Sequence, residues 1–353
     1  MRAALTSVRL STILISVVGL VALIGIPLVT DSFQTFQFAN VAAFVIVIVG
    51  LNLLTGYSGQ ISLGNGAFMA VGGYTTAIMA HRLGAPYALT IPLGGLIAGA
   101  FGFLIGIPAL RLHGIYLALA TFALALSVTP VLNNFDTFTG GHVGINLKPA
   151  TPPAGLDLSN EQWLYFVGWA IAGVLFIPAT LLLHSRTGRA WMAIRDSETA
   201  AIANGVNIAF YKTLAFGISA FYAGVAGSLQ IINTAYINPD NYSLGLSLSL
   251  LIGLIVGGLG NIWGPVLGGL LVVWLPYFAE KASGVHLGPV SFGGKPDIGF
   301  GLLLVVIVFL APDGLAGLAR RGMVRYGLLR TRFRAPAVIA EELPMVEPDQ
   351  IRT

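Results

Sequence analysis

The charged residues of this chain are spaced so that long stretches between them hold none. No Asp, Glu, Lys or Arg occurs between Asp31 and Arg82, Arg82 and Arg111, Arg111 and Asp136, Glu161 and Arg186, Lys212 and Asp240, or Asp240 and Glu280. One such residue at the centre of a membrane helix costs about 2.5–3.5 kcal/mol on insertion scales. A helix needs about 20 apolar residues to cross the bilayer core, so the first and last of these intervals each hold two. Ten spans are predicted, at residues 10–29, 39–55, 63–81, 88–110, 114–132, 162–183, 213–233, 243–259, 265–280 and 297–311. The expected fold class is all-α: a polytopic integral membrane protein of about ten transmembrane helices with glycine-rich broken helices.

Basic residues are retained on the cytoplasmic side of short loops. With both termini placed there, the inside segments hold Arg2, Arg9, Arg111, Arg186, Arg189, Arg195, Lys212 and the seven arginines from Arg320 to Arg352. Only Arg82, Lys148, Lys281 and Lys295 fall outside. The net charge of +4 is thus topology, and no nucleic-acid partner is expected, since such a reader needs a basic face on a folded surface. The run Leu10–Thr30 is longer than the about 7–15 residues of a signal-peptide core and lacks a small-residue cleavage site, which predicts a retained first helix. Residues 1–319 are read as a membrane domain with a cytosolic loop at 184–212. Residues 320–353 are read as an arginine-rich cytosolic tail with little packed structure, held at anionic lipid.

Three segments carry more than hydrophobicity. From Asn52 to Tyr74, glycine recurs at 56, 59, 64, 66, 72 and 73. Free backbone groups survive at membrane depth only where protein or a water-filled cavity satisfies them. A broken helix with Asn52, Tyr57, Ser58, Gln60, Ser62 and Asn65 can therefore line a solute path, or can serve close helix packing. A second cluster, Gly253 to Gly269, pairs Gly253 with Gly257 and Gly264 with Gly268 at the spacing that lets helix backbones approach, as do Gly95 with Gly99 and Gly102 with Gly106. The third segment is the charged loop His184–Asn207. Asp196 or Ser197 can cap a helix, Glu198 suits its first turn and Asn204-Gly205 stops it. Ala201 and Ile202 are expected to be exposed on this short helix, ready for a partner's groove.

Several chemistries fail on residue type. The absence of cysteine excludes a disulfide framework, and the five scattered histidines lack metal-ligand spacing, so no metal site is assigned. Gly56-Tyr-Ser58-Gly59 matches the pattern around an intramembrane protease serine, but no span carries a histidine suited to activate Ser58. The nearest phosphate loop, Pro289 to Pro296, lacks the first glycine and ends in proline where the magnesium-binding hydroxyl belongs. No catalytic residue is assigned and no cofactor is expected on this chain. A channel or secondary carrier is the remaining alternative, distinguished by transport without ATP.

Gly50-Leu-Asn-Leu-Leu-Thr-Gly-Tyr-Ser-Gly-Gln-Ile-Ser-Leu-Gly-Asn-Gly-Ala-Phe, Gly188-Arg-Ala-Trp-Met-Ala-Ile-Arg-Asp-Ser-Glu-Thr-Ala-Ala-Ile-Ala-Asn-Gly-Val-Asn and Gly257-Gly-Leu-Gly-Asn-Ile-Trp-Gly-Pro-Val-Leu-Gly stand in this order. On these motifs the chain resembles the LivM-type permease of branched-chain amino acid ABC importers, over about residues 12–320. The resemblance implies that Glu198, Ala200, Ala201 and Gly205, with the preceding Arg195 and Asp196, meet a nucleotide-binding subunit. The spacing departs from E-A-A-x-x-x-G, since Thr199 follows the glutamate and Gly205 comes seven positions after it. Further implied are a second homologous permease, two ATPase subunits that carry ATP and magnesium, a periplasmic binding protein, a bacterial inner-membrane location and alternating access. A solute without net charge fits the uncharged span centres: a branched-chain amino acid foremost, or urea, an amide or a small aromatic amino acid.

Overall fold

A computed structural model describes residues 23–112, 114–153, 155–282 and 314–317. Residues 10–22 of the first expected span, the Pro289–Pro296 stretch, the span at 297–311 and the tail at 320–353 lie outside the described residues; residues 23–29 are helical. The helices that follow are α1 (Ser32–Leu51), α2 (Asn65–Leu83), α3 (Tyr87–Ala109), α4 (Ile115–Asn134) and α5 (Asn160–His184). The charged loop forms two helices, α6 (Arg186–Asp196) and α7 (Glu198–Ala203), before α8 (Ile208–Thr234), α9 (Leu244–Gly258) and α10 (Gly264–Ala282). A two-residue antiparallel pairing, Ile145–Asn146 with Tyr236–Ile237, is the one sheet among the described residues, so the all-α class holds.

Among the described residues, six stretches are long and apolar enough to cross a membrane: Ser32–Tyr57, α3, α4, α5, α8 and Pro239–Gly258. The expected third and ninth spans form α2 and α10. Two starts lie earlier than the hydropathy pattern placed them. α1 begins at Ser32 because Gln34 and Gln37 tolerate a helix and Thr35 donates back to the Asp31 carbonyl. α8 begins at Ile208, where the Asn207 side chain caps it by accepting from the Phe210 N–H at 3.1 Å.

Helix α8 is the centre of the bundle, packed against α3, α2 and α1, while α1 also meets α5 and α10. Small residues make these contacts. On α3 the buried face carries Gly94, Gly95, Ala98, Gly102 and Gly106, whereas Leu96, Leu104 and Ile107 face outward. This inverts the arrangement of a water-soluble helix, and it is what lipid on one side and a neighbouring backbone on the other select. A Cβ on Gly72 of α2 would strike the Gly224 carbonyl of α8, and one on Gly257 of α9 would strike the Gly264 carbonyl of α10. The second glycine cluster thus folds back on itself as a helical hairpin.

The connections sort to two ends. At one lie 58–64, Leu112 and Gly114, 184–207 and 259–263. At the other, Tyr236 Oη donates to the Val143 carbonyl (2.9 Å), Asn238 Nδ2 to that of His142 (3.0 Å), Tyr87 Oη to that of Lys148 and Arg82 to that of Thr137. This alternation is the one the charge spacing demands.

Gly72→Ala is expected to lower the unfolding midpoint in detergent by an amount equivalent to about 1–3 kcal/mol, the usual cost of overpacking. Gly173→Ala, where nothing lies within 4 Å of the added carbon, is expected to leave it unchanged or slightly raised.

Candidate functional site

The first glycine-rich segment breaks the helix as its composition demands. Beyond Leu51 the chain widens into a π-helical segment, Asn52–Tyr57, closed by Ser58 N–H to the Leu53 carbonyl (3.1 Å) and Gln60 N–H to that of Leu54 (3.1 Å). Residues 58–64 are then non-helical until α2 begins at Asn65. The freed polar groups find partners. Thr55 Oγ1 donates to the Gln60 carbonyl (3.0 Å) and Gln60 Nε2 donates to Ser58 Oγ (2.7 Å). Thr121 Oγ1 of α4 accepts from the Leu63 N–H (3.0 Å), and Ser247 Oγ of α9 from the Gly66 N–H (3.1 Å).

Asn52 does something its sequence context did not reveal. Its Oδ1 accepts from the Gly260 N–H (2.9 Å) and its Nδ2 donates to the Asn261 carbonyl (2.8 Å). Both groups belong to the turn between α9 and α10, where Gly258 and Gly260 have φ of 126° and 69°. The two glycine breaks, far apart in sequence, therefore meet, and Asn52 (1% exposed) serves as a clamp on backbone. Gly56 has no side chain because a Cβ there would strike Asn52 Oδ1 and lie 2.7 Å from the Gly260 nitrogen.

The charged loop is built against this break. Helix α6 is capped by Ser185 Oγ, which accepts from the Thr187 N–H (3.1 Å), and buries Gly188, Ala190, Trp191 and Ile194. Trp191 Nε1 donates to the Tyr211 carbonyl (2.9 Å). The spacing of 188, 191 and 194 with Ser185 before it was a legible helix signal, although the sequence reading assigned only the helix that follows. That one, α7, is capped by Ser197 Oγ and stopped at Gly205, φ 77°. Ile202 is exposed as expected, but Ala201 is not: it is 2% exposed, facing inward. A helix of under two turns has one inward face, and Ala201 takes it.

Of the residues expected to meet a partner subunit, Arg195, Asp196, Ala200 and Gly205 are exposed and Glu198 is half-buried. Glu198 Oε1 pairs with Lys212 Nζ at 2.6 Å. Lys212, absent from the sequence-based candidates, lies on α8 with its side chain 6% exposed; a lysine at the foot of a span, 14 residues after a loop glutamate, was the available signal. Arg195 Nη1 donates to the Gly56 carbonyl (3.0 Å) while its Nε donates to Asp196 Oδ1 (3.2 Å). A polar cavity of about 280 Å³ lies here, lined by Ser58, Gln60, Arg195, Glu198 and Lys212 among others. Ser62 is buried near the break, and Asn65, 1% exposed, has neither amide atom hydrogen-bonded. Ser58 takes its hydrogen bond from an amide rather than an imidazole.

Residues 34–311 match the family described as the branched-chain amino acid transport system permease component. The chain belongs to that family. It is 32% identical over 300 residues to the high-affinity branched-chain amino acid transport system permease protein LivM of Salmonella typhimurium, covering 78% of this chain and 68% of LivM. It is 26% identical over 297 residues to the permease protein BraD of Pseudomonas aeruginosa (78% and 92%). To the ribose import permease RbsC of Escherichia coli it is 25% identical over 256 residues (70% and 77%). No solved structure matches the chain.

In this permease the site is a junction of broken backbone and loop helices. Replacing Asn52 by alanine leaves the Gly260 N–H and the Asn261 carbonyl without their partner. It is expected to cost about 1–3 kcal/mol, the penalty for stranding a buried polar group, read as a lowered unfolding midpoint of the purified permease.

Proposed function

We propose that this permease is the membrane subunit of an ABC importer that moves a small zwitterionic or neutral solute inward, a branched-chain amino acid foremost, by alternating access. Energy comes from two separate ATPase subunits, which hold the ATP and magnesium. A second homologous permease completes the path and a periplasmic binding protein supplies the solute. The protein sits in the bacterial inner membrane with both termini cytoplasmic, the arginine-rich end inside. Residues 1–319 form the permease domain, and the tail from 320 adds affinity for anionic lipid.

The observation that carries this reading is helix α7. It is a capped helix too short to stand alone, presenting Thr199, Ala200, Ile202 and Ala203 outward and tied through Glu198 and Lys212 to the central span. Phe210 (53% exposed) joins Ile202 (62%) on the outside of the same end. Exposed apolar residues next to a charged loop suit docking into a protein groove. Within the described residues, the spans carry charge only at their ends, Lys212 included, which supports a cargo without net charge. Asn52 is better read as a clamp than as lining; Tyr57, Ser58, Gln60, Ser62 and Asn65 remain the proposed polar lining of the path near its inner end.

The test is reconstitution with the second permease, both ATPases and the binding protein, measuring uptake of labelled leucine, isoleucine and valine with and without ATP; ATP-independent uptake would sink the reading. Ile202→Asp is expected to leave the permease inserted but reduce ATPase co-purification at least about tenfold, the effect of losing one apolar anchor of a docking surface. It is a cleaner probe than reversing Glu198, because that change also places two cations together at Lys212.

A further inference from the structure

We propose that Arg195 is a positioning residue that couples the loop helices to the membrane break, rather than a contact to the ATPase. The inference rests on the transport reading above and specifies how this chain transmits movement within itself.

Four observations converge on Arg195. The Gly56 carbonyl lies beyond the last helical acceptors of the π segment, Leu53 and Leu54, and Arg195 Nη1 donates to it at 3.0 Å. Gly59 has φ 74°, and a Cβ there would lie 2.8 Å from Arg195 Cγ, so the glycine leaves room for the arginine to pass. The same Nη1 lies 3.6 Å from where a Cβ of Gly260 would be, at the second break. Finally, Arg195 follows Ile194 and Trp191, whose burial fixes α6 on the bundle. One guanidinium thus ties the end of α6 to the break after α1 and lies beside the turn between α9 and α10. Its Nε remains on Asp196, a division of donors that the single ammonium of lysine reproduces poorly.

The surrounding contacts tie α7 and the break to α8. Lys212 joins α7 through Glu198 (2.6 Å), and its carbonyl accepts from Gln60 Nε2 (3.5 Å). When α6 and α7 shift together, α8 is pulled through Lys212 and the π segment through the Arg195–Gly56 bond. Without Arg195 the loop can still follow the ATPases, but the break keeps only the longer Gln60–Lys212 link (3.5 Å) and follows the loop less closely.

The chain has no cysteine, so a single introduced thiol reports alone. Ile61→Cys, at a position 47% exposed within the break, supplies it. In the isolated permease, Arg195→Gln is expected to raise the modification rate of that thiol several-fold, and Gly59→Ala to do the same by displacing the arginine. In the assembled importer, Arg195→Gln is expected to retain both ATPases while solute moved per ATP hydrolysed falls about tenfold, the effect of losing one charge-assisted hydrogen bond; Arg195→Lys recovers part of it. An unchanged modification rate, an unchanged transport ratio, or loss of the ATPases from Arg195→Gln would each overturn the proposal. Failure of the transport reading shows separately, as ATP-independent uptake by the wild-type assembly, and leaves the thiol measurement in the isolated permease decisive for Arg195.

Discussion

A helix that stops inside a membrane leaves backbone N–H and C=O groups that lipid cannot satisfy, and each unsatisfied group costs several kcal/mol. The architecture of this permease follows from how that debt is met after α1. The partners come from almost every neighbouring element: Thr121 on α4, Arg195 on α6, Ser247 on α9, and the α9–α10 turn through Asn52. Apart from the bonds within residues 55–60, each of these bonds also fixes another element to the break. The break is therefore a hydrogen-bonded junction between helices that are distant in sequence.

Close approach of backbones is the second constraint. Dispersion and interhelical hydrogen bonds replace the hydrophobic effect between helices in lipid, and both gain from small residues. Ser228 Oγ of α8 shows the combination, donating to the Gly72 carbonyl of α2 (3.1 Å) as well as to its own helix. Such a contact is possible only because Gly72 and Gly224 bring the two backbones together.

Among the described residues, the helix positions, the loop alternation and the α7 helix were readable from charge spacing and capping residues, because both reflect local costs. The role of Asn52 was not. A buried asparagine beside glycines is equally suited to face a solute or a backbone, and only the arrival of Gly260 and Asn261 from a distant segment decides between them. Ala201 shows the same limit on a smaller scale: a short helix has no periodicity long enough to say which side turns inward. Lys212 was visible as a boundary charge, but its pairing with Glu198 depends on the angle at which α7 lies against α8. The packing role of the second glycine cluster was legible because its partner lies within the same motif.

Helix α8 is anchored at both of its ends. At the foot, Lys212 and the Trp191-bonded Tyr211 hold it to the loop helices; at the head, Ala235 donates back into the helix and its carbonyl accepts from the Leu147 N–H beside the short strand pair. At 27 residues it is about 40 Å long, unbroken by proline. A rod clamped this way has no slack segment in which to lose a push. The loop helices at one end of the bundle and the strand pair at the other are therefore held by the same unbroken helix.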